Sequence, residues 1–260
     1  MRLHFDCTAC GRCCNSLRLP LSIREAIQWL EGGGIVQVMC DATPDLPVNE
    51  ADTANVFRRE RSFAANSLSL PIRVRVTLVA AFTGPCPNLL PNKLCGAYDR
   101  RPATCRIYPA ELRPDADVDP SARLCPPEAW LSNKPLLVRD DCTVADPEIV
   151  DAITLARREG ISDMSRKLHL TDLLGINVAA LANEGFVIWH IDQRLLVSAL
   201  LKVSAVSLPS DCCSSFWSVA SPSVPVREMI GAAGGTACAV KDLEGAEYLS
   251  LQRSIDEPAI

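Results

Sequence analysis

Apolar residues along this chain recur in two periods, and each period places elements. Ile23, Ile27 and Leu30 repeat at helical spacing. Ser22 has the chemistry of an N-cap, Glu25 completes a capping box three residues on, and Gly32-Gly33-Gly34 supplies a stop, so the pattern predicts a helix from Ser22 to about Leu30. Ile35 to Met39 reads as a strand, and the polar, Pro-bearing stretch Asp41 to Asn55 as a loop. Ile72 to Phe82 alternates at its start, Arg73 and Arg75 against Ile72, Val74 and Val76, as a strand with one polar face. Ile149, Val150, Ile153, Leu155 and Ala156 place a helix over Pro147 to Arg158, with Gly160 as its stop. Ser162 or Asp163 can cap a helix to about Leu168, and Thr171-Asp172 can open another through Leu181, with Gly185 a late breaker. Phe186 to Ile191 favours a strand, and Arg194 to Val206 fits strand or helix. From about Ser207 onward Ser, Pro, Ala and Gly take over, and a poorly ordered tail is expected.

Glycine runs add no phosphate chemistry. No GK[ST] follows Gly32-Gly33-Gly34. The run from Gly231 to Gly235 lacks a convincing strand before it and helix after it, so it reads as a linker.

Composition bounds the class. The chain is 48% hydrophobic and 22% charged, enough apolar residue for a packed core. Its net charge of −5 provides no basic field, so neither nucleic acid nor an anionic membrane surface is expected as a partner. The longest apolar candidate for a span, Phe186 to Leu201, contains His190, Asp192, Gln193 and Arg194, so no membrane span is expected. After Met1-Arg2-Leu3 the chain reaches His4, Asp6 and Cys7 with no apolar h-region, which points to a cytoplasmic setting.

The cysteines change the picture most. There are 13, an odd number, and in a reducing compartment clustered thiols bind metal more often than they pair. Cys7, Cys10, Cys13 and Cys14 stand in one eight-residue stretch. Cys-x2-Cys lets two thiolates of one tight turn reach one metal, and Gly11 can take a positive φ. Cys-x2-Cys-x2-Cys matches three ligands of a ferredoxin-type iron–sulfur site. Successive side chains diverge, so Cys13 and Cys14 serve different roles: two different centres, or one ligand and one reserve thiol. A second group follows as Cys86-x8-Cys95-x9-Cys105, with Cys125-Pro126 beyond it. Four thiolates around a divalent metal carry about −2 overall, so Arg12, Arg100, Arg101 and Arg106 beside these thiols are electrostatically sensible. Arg58, Arg59 and Arg61 around Phe57 form a basic patch that could meet an anionic partner, but reads first as a solvated face.

The ordered pattern Phe5-x-Cys7-x2-Cys10-Gly11-x-Cys13-Cys14, then Cys86-Pro87-x-Leu89, then Cys95-x2-Tyr98-x2-Arg101-Pro102-x2-Cys105-Arg106-x2-Pro109 resembles the YkgJ, or CxxCxxCC, family. The resemblance covers about residues 4–126. It implies cysteine-cluster proteins that chelate zinc or iron, a flagellin lysine N-methylase among them. Carried over, the implied metal ligands are Cys7, Cys10, Cys13, Cys14, Cys86, Cys95, Cys105 and Cys125. After its middle cysteine the family usually shows a Cys-x-Ile-Tyr step; Cys95-Gly96-Ala97-Tyr98 is a mild departure.

The expected fold is therefore α+β: a small loop-rich domain, residues 1–126, organised around a cysteine-ligated metal centre, with a mixed α/β extension, 127–206, packed on it and a flexible tail, 207–260. Arg12, Arg101 and Arg106 are the expected cofactor-facing cations. The expected cofactor is an iron–sulfur cluster, with zinc or mononuclear iron as alternatives. S-adenosylmethionine rests on the methylase link alone, since no strand–glycine loop–helix with a following acid is present. Function is expected to be redox, or support of a protein modification, with a redox or protein partner; a structural zinc module is the alternative. His4 is the one histidine placed to touch the metal, His169 and His190 being isolated. Cys142, in an acidic loop, reads as an ordinary thiol, and Asp140-Asp141 as loop charges. No Ser/His/Asp or Cys/His arrangement stands out, so catalytic residues are not assigned.

Overall fold

The structure is a computed structural model, and residues 2–205 and 216–251 are described. In chain order its elements are β1 (Leu3–His4), β2 (Arg18–Leu21), α1 (Ile23–Glu31), β3 (Val36–Pro44), α2 (Thr53–Glu60), β4 (Phe63–Ser67), β5 (Leu70–Ala81), α3 (Ala103–Ile107), β6 (Leu136–Val138), α4 (Pro147–Ser162), α5 (Met164–Leu174), β7 (Val178–Leu181), β8 (Gly185–Trp189), α6 (Gln193–Ala205), β9 (Ser218–Ser221), α7 (Val224–Ala232), β10 (Ala237–Ala239) and β11 (Ala246–Ser250). The fold is α+β. It has two compact units: one combines residues 1–35 with 80–161, the other 36–79 with 162–260.

The first unit holds every expected ligand. Its core is Ala103, Ile107, Ala110, Leu137, Val138, Ala152 and Ile153, from α3 and the residues just after it, β6 and α4. β1 pairs antiparallel with β6, Leu3 opposite Val138. Just beyond, the Phe5 amide donates to the Pro135 carbonyl and the Asp6 amide to that of Ala129, both at 2.9 Å. Phe5 packs on Trp130 with ring centroids 4.9 Å apart. Backbone pairing and an aromatic contact thus hold the amino terminus before any metal is invoked. α1 has the capping box its sequence predicts: the Ser22 hydroxyl accepts from the Glu25 amide, and the Glu25 carboxylate accepts from the Ser22 amide.

The second unit is built on a sheet. β3 is buried from Val36 to Ala42, as a central strand with both faces covered must be, and the polar Gln37 and Asp41 lie buried among its apolar residues. It runs parallel to β7, β7 to β9 and β9 to β10, while β8 pairs antiparallel with β3 and with β11. β4 and β5 form an antiparallel pair, Phe63 opposite Val74.

Several elements differ from the sequence reading. β3 continues through Asp41 to Pro44, and Asp52 caps α2, so the expected loop between Asp41 and Asn55 is shorter. α4 passes Gly160 to Ser162, because a glycine without a left-handed φ does not end a helix by itself. α5 runs through Thr171 and stops at Gly175, which takes the left-handed conformation at φ 66°; Val178–Leu181 is a strand, not the end of a helix. The ambiguous stretch after Arg194 is α6, capped by Asp192 and burying Leu196, Ala199, Leu200 and Val203.

Within the expected tail, residues 216–251 form β9, α7, β10 and β11. The Gly231–Gly235 run is the end of α7 and its turn into β10. The Ser/Ala/Gly composition hid this because short buried strands need sheet partners more than large side chains. Cys212 and Cys213 lie outside the described residues.

The Arg58–Arg61 patch is also not a solvated face. Arg58 and Arg75 both bind the buried Asp41 carboxylate, Arg59 binds Asp45, and Arg61 stacks on Phe57 at 3.6 Å. The acids that neutralise the patch come from β3 and the loop after it, which the local sequence of α2 does not reveal.

Candidate metal centre

Two backbone devices bring the cysteine groups together. Gly11 adopts φ 75° and starts a single 3-10 turn, Arg12–Cys14, closed by the Cys14 amide donating to the Gly11 carbonyl at 3.1 Å. The chain then runs antiparallel to residues 82–86: Phe82 donates to Leu17, Ser16 to Gly84, and Cys86 to the Cys14 carbonyl at 2.8 Å. Asn15 and Pro85 form the bridge between them. Cys14 and Cys86, distant in sequence, are therefore opposite each other by backbone register.

Cys95 returns on a tight turn. Leu90 and Leu94 pair at 2.9 Å, Leu89 bridges Cys95, and the Gly96 amide donates to the Asn88 carbonyl at 2.7 Å. Cys105 is carried by the five-residue helix α3. That helix is too short to be stable alone, and its first amide, from Ala103, donates to Glu25 Oε1 at 2.7 Å. Cys125 is held from the side by Tyr108, whose hydroxyl accepts from the Leu124 amide at 2.9 Å and lies 3.7 Å from the Cys125 sulfur. Arg123 anchors the same loop through Glu111 and sits over the Tyr108 ring. Sequence reasoning assigned Glu25 a helix cap and Tyr108 nothing; their second roles depend on partners far along the chain, which no local pattern signals.

The thiols lie close enough to influence one another electrostatically. Cys14 senses Cys95, Cys7 and Cys10; Cys86 senses Cys14 and Cys95; Cys105 senses Cys14, Cys86 and Cys95. Cys13 senses Cys14, Cys125 and Cys7, and Cys125 senses Cys10 and Cys7. The Cys13 and Cys14 sulfurs are 4.0 Å apart. Burial first, then these neighbours, push the Cys13 and Cys105 thiols up to about 12. Burial also raises Cys14, Cys86 and Cys125. Cys13, Cys14, Cys86, Cys105 and Cys125 thus hold their protons more tightly than an ordinary thiol until a cation compensates the thiolates, which is the electrostatic situation a thiolate-bound metal resolves. All eight cysteines are free thiols. Among the described residues, no three His, Cys, Asp or Glu side chains meet at metal-holding distance, so the sulfurs are gathered without being closed into a coordination sphere.

The expected cations are placed unequally. Arg101 stacks on Tyr98 at 3.7 Å and is near enough to Cys105 to favour its thiolate. Arg12, in the 3-10 turn, and Arg106, on α3, are exposed. His4 Nδ1 is 2.7 Å from the Lys134 carbonyl, which gives it a structural partner. Cys142 is exposed and lines a separate cavity of about 580 Å³ with Glu111, Arg113 and Arg157. Cys40 is fully buried in β3, and Cys238 is half-buried in β10, both in the other unit.

Residues 6–126, just under half of the chain, match the CxxCxxCC family, described as "Putative zinc- or iron-chelating domain". No curated protein and no solved structure matches the chain. No helix among the described residues is long and apolar enough to cross a membrane.

Proposed function

With residues 6–126 matched to the CxxCxxCC family, we propose that this chain is a metal-binding protein whose clustered cysteines hold iron as an iron–sulfur cluster. The observation that carries the reading is the antiparallel pairing of residues 14–17 with 82–86, which unites two distant cysteine groups in one unit. Thiolates are soft ligands that select zinc, iron–sulfur clusters or copper(I) over hard cations. The ferredoxin-type spacing of Cys7, Cys10 and Cys13 favours a cluster, and the Arg101 cation beside Cys105 offsets thiolate charge for either metal.

A bound cluster supplies one-electron chemistry. The chain's own residues fix the sulfurs, with Glu25 setting α3, Tyr108 setting the Cys125 loop and Cys14 pairing with Cys86. The role is then electron transfer, or support of a protein modification, with a redox or protein partner in a reducing cytoplasm. A structural zinc module is the second reading. It is favoured by the irregular backbone between Phe82 and Pro102, which four-thiolate zinc ties down in other loop-rich domains.

Anaerobic purification, a visible spectrum, and iron, sulfide and zinc counts per chain test both. A brown protein with matching iron and sulfide supports the cluster. A colourless protein with stoichiometric zinc selects the second reading. A metal-free protein that takes up neither overturns both.

A further inference from the structure

We propose that the second unit binds a phosphate-bearing small molecule where Lys167 of α5 meets Arg75 of β5 and Arg61, the residue that ends α2. The site is built on a surplus of buried positive charge and does not depend on the cysteine cluster.

Lys167 is 7% exposed, and among the described residues its ammonium has no hydrogen-bond or ion-pair partner. An ammonium carries three donors, and a charge taken out of water without a partner is unfavourable. α5 packs against β4, which begins two residues after Arg61. β4 pairs with β5 so that Phe63 stands opposite Val74, the neighbour of Arg75. Burial lowers the Lys167 amine first, Asp163 pulls it back up, and Arg75 and Arg61 lower it again. A buried cation is thus pressed by two others. A methionine would fill the same space without a charge to bury, so the ammonium itself is the feature that needs a partner.

The neighbouring carboxylates are already committed. Asp41 is 1% exposed, and its oxygens go to different arginines, Oδ1 to Arg58 and Oδ2 to Arg75 at 2.7 Å. Arg59 takes Asp45 at 2.6 Å, and Arg61 lies 3.3 Å from the half-exposed Glu60. Asp163 is buried and shared with Arg166 at 3.9 Å. Arg73 donates only to uncharged acceptors, Ser62 Oγ at 3.0 Å and the Ser62 and Arg59 carbonyls. Six cations, Arg58, Arg59, Arg61, Arg73, Arg75 and Lys167, therefore face four carboxylates, in a chain whose net charge is −5. Burial lowers Arg58 and Arg73 first, with Arg75 and Arg59 respectively adding repulsion. A surplus of two positive charges is what a phosphate dianion removes, and guanidinium with ammonium is the donor set that phosphate recognition uses.

The test uses the full chain, with inorganic phosphate as the probe and potassium chloride at matched ionic strength as the blank. The melting temperature should rise with the logarithm of phosphate concentration once the site is half filled, and chloride should not reproduce the rise. Lys167→Met should abolish the phosphate-dependent rise, whereas Lys202→Gln, at an exposed position on α6, should keep it. Circular dichroism checks that each variant is folded. In the folded parent, brief carbamylation by cyanate, read by mass spectrometry, should modify Lys167, and phosphate should slow that reaction several-fold while Lys202 reacts as before. This measurement needs no variant and decides the matter if Lys167→Met does not fold. A rise that chloride matches, or that survives in folded Lys167→Met, overturns the site. So does a Lys167 amine that cyanate does not reach or that phosphate does not protect. Each of these outcomes leaves the metal-binding reading as it stands.

Discussion

Glu25 Oε1 accepts the Ala103 amide at 2.7 Å, while Oε2 of the same carboxylate accepts the Ser22 amide at 2.9 Å. One buried side chain thus caps α1 and opens α3, the helix that carries Cys105. Glu25→Ala leaves the Ala103 amide buried without a partner, at a cost of about 1–3 kcal/mol. Urea unfolding should show that loss, and Glu25→Gln, which keeps one acceptor oxygen, should lose less. A Glu25→Ala variant as stable as the parent would refute the double role.

Tyr108→Phe removes only the hydroxyl that Tyr108 offers the Cys125 loop, since the ring beneath Arg123 stays. The variant loses the acceptor of the Leu124 amide, and about 0.5–1.5 kcal/mol of stability is expected to go with it. Metal should also leave faster to a chelator, because Cys125 is less well placed. Unchanged chelation kinetics would make Tyr108 a packing residue only.

The raised thiols give the metal-free protein a pH signature. An ordinary cysteine loses its proton near 8.5, whereas Cys13 and Cys105 in the fold keep theirs to about 12. Between these values the folded chain binds more protons than the unfolded one, so stability falls as pH rises through that window. In the loaded protein the thiols are already deprotonated. Its stability should therefore be flatter over the same range and should fall toward acid, where protons compete for sulfur. Parallel thermal melts of both forms across pH check this; coincident profiles would count against thiol ligation.

Thiol reactivity should sort by exposure. Cys7 and Cys142 are exposed, whereas Cys40 is buried, and burial and then Asp41 push its thiol up. Timed alkylation read by mass spectrometry should label Cys7 and Cys142 first in the metal-free chain, and Cys40 only on unfolding. Metal loading should protect Cys7 and leave Cys142 reactive. Equal protection of both would place Cys142 in the ligand set.

Asp41 is 1% exposed and binds two arginines, Arg58 and Arg75. Asp41→Ala leaves two partly buried cations facing each other, and removing one partner of such a group costs about 3 kcal/mol. Chemical denaturation should show a loss of that order, and metal content should not change, since the pair lies in the unit without the cysteine cluster. A loss below about 0.5 kcal/mol would mean that water screens the arginines.

What the sequence determined by itself was local or enumerable. Ser22 and Glu25 specify α1 because a capping box closes within four residues. The cysteine spacings point to metal because thiolate chemistry needs few residues, and the ordered motifs carry the family resemblance. The tertiary structure decided what depends on partners distant in the chain. Cys14 faces Cys86 only because residues 14–17 and 82–86 pair. Arg58 is neutralised only because β3 brings Asp41 beneath it. The strands after Phe216 exist because β7 and β8 offer edges to them. Strand pairing and charge compensation are set by what arrives from elsewhere in the chain, and a local window contains no record of that arrival.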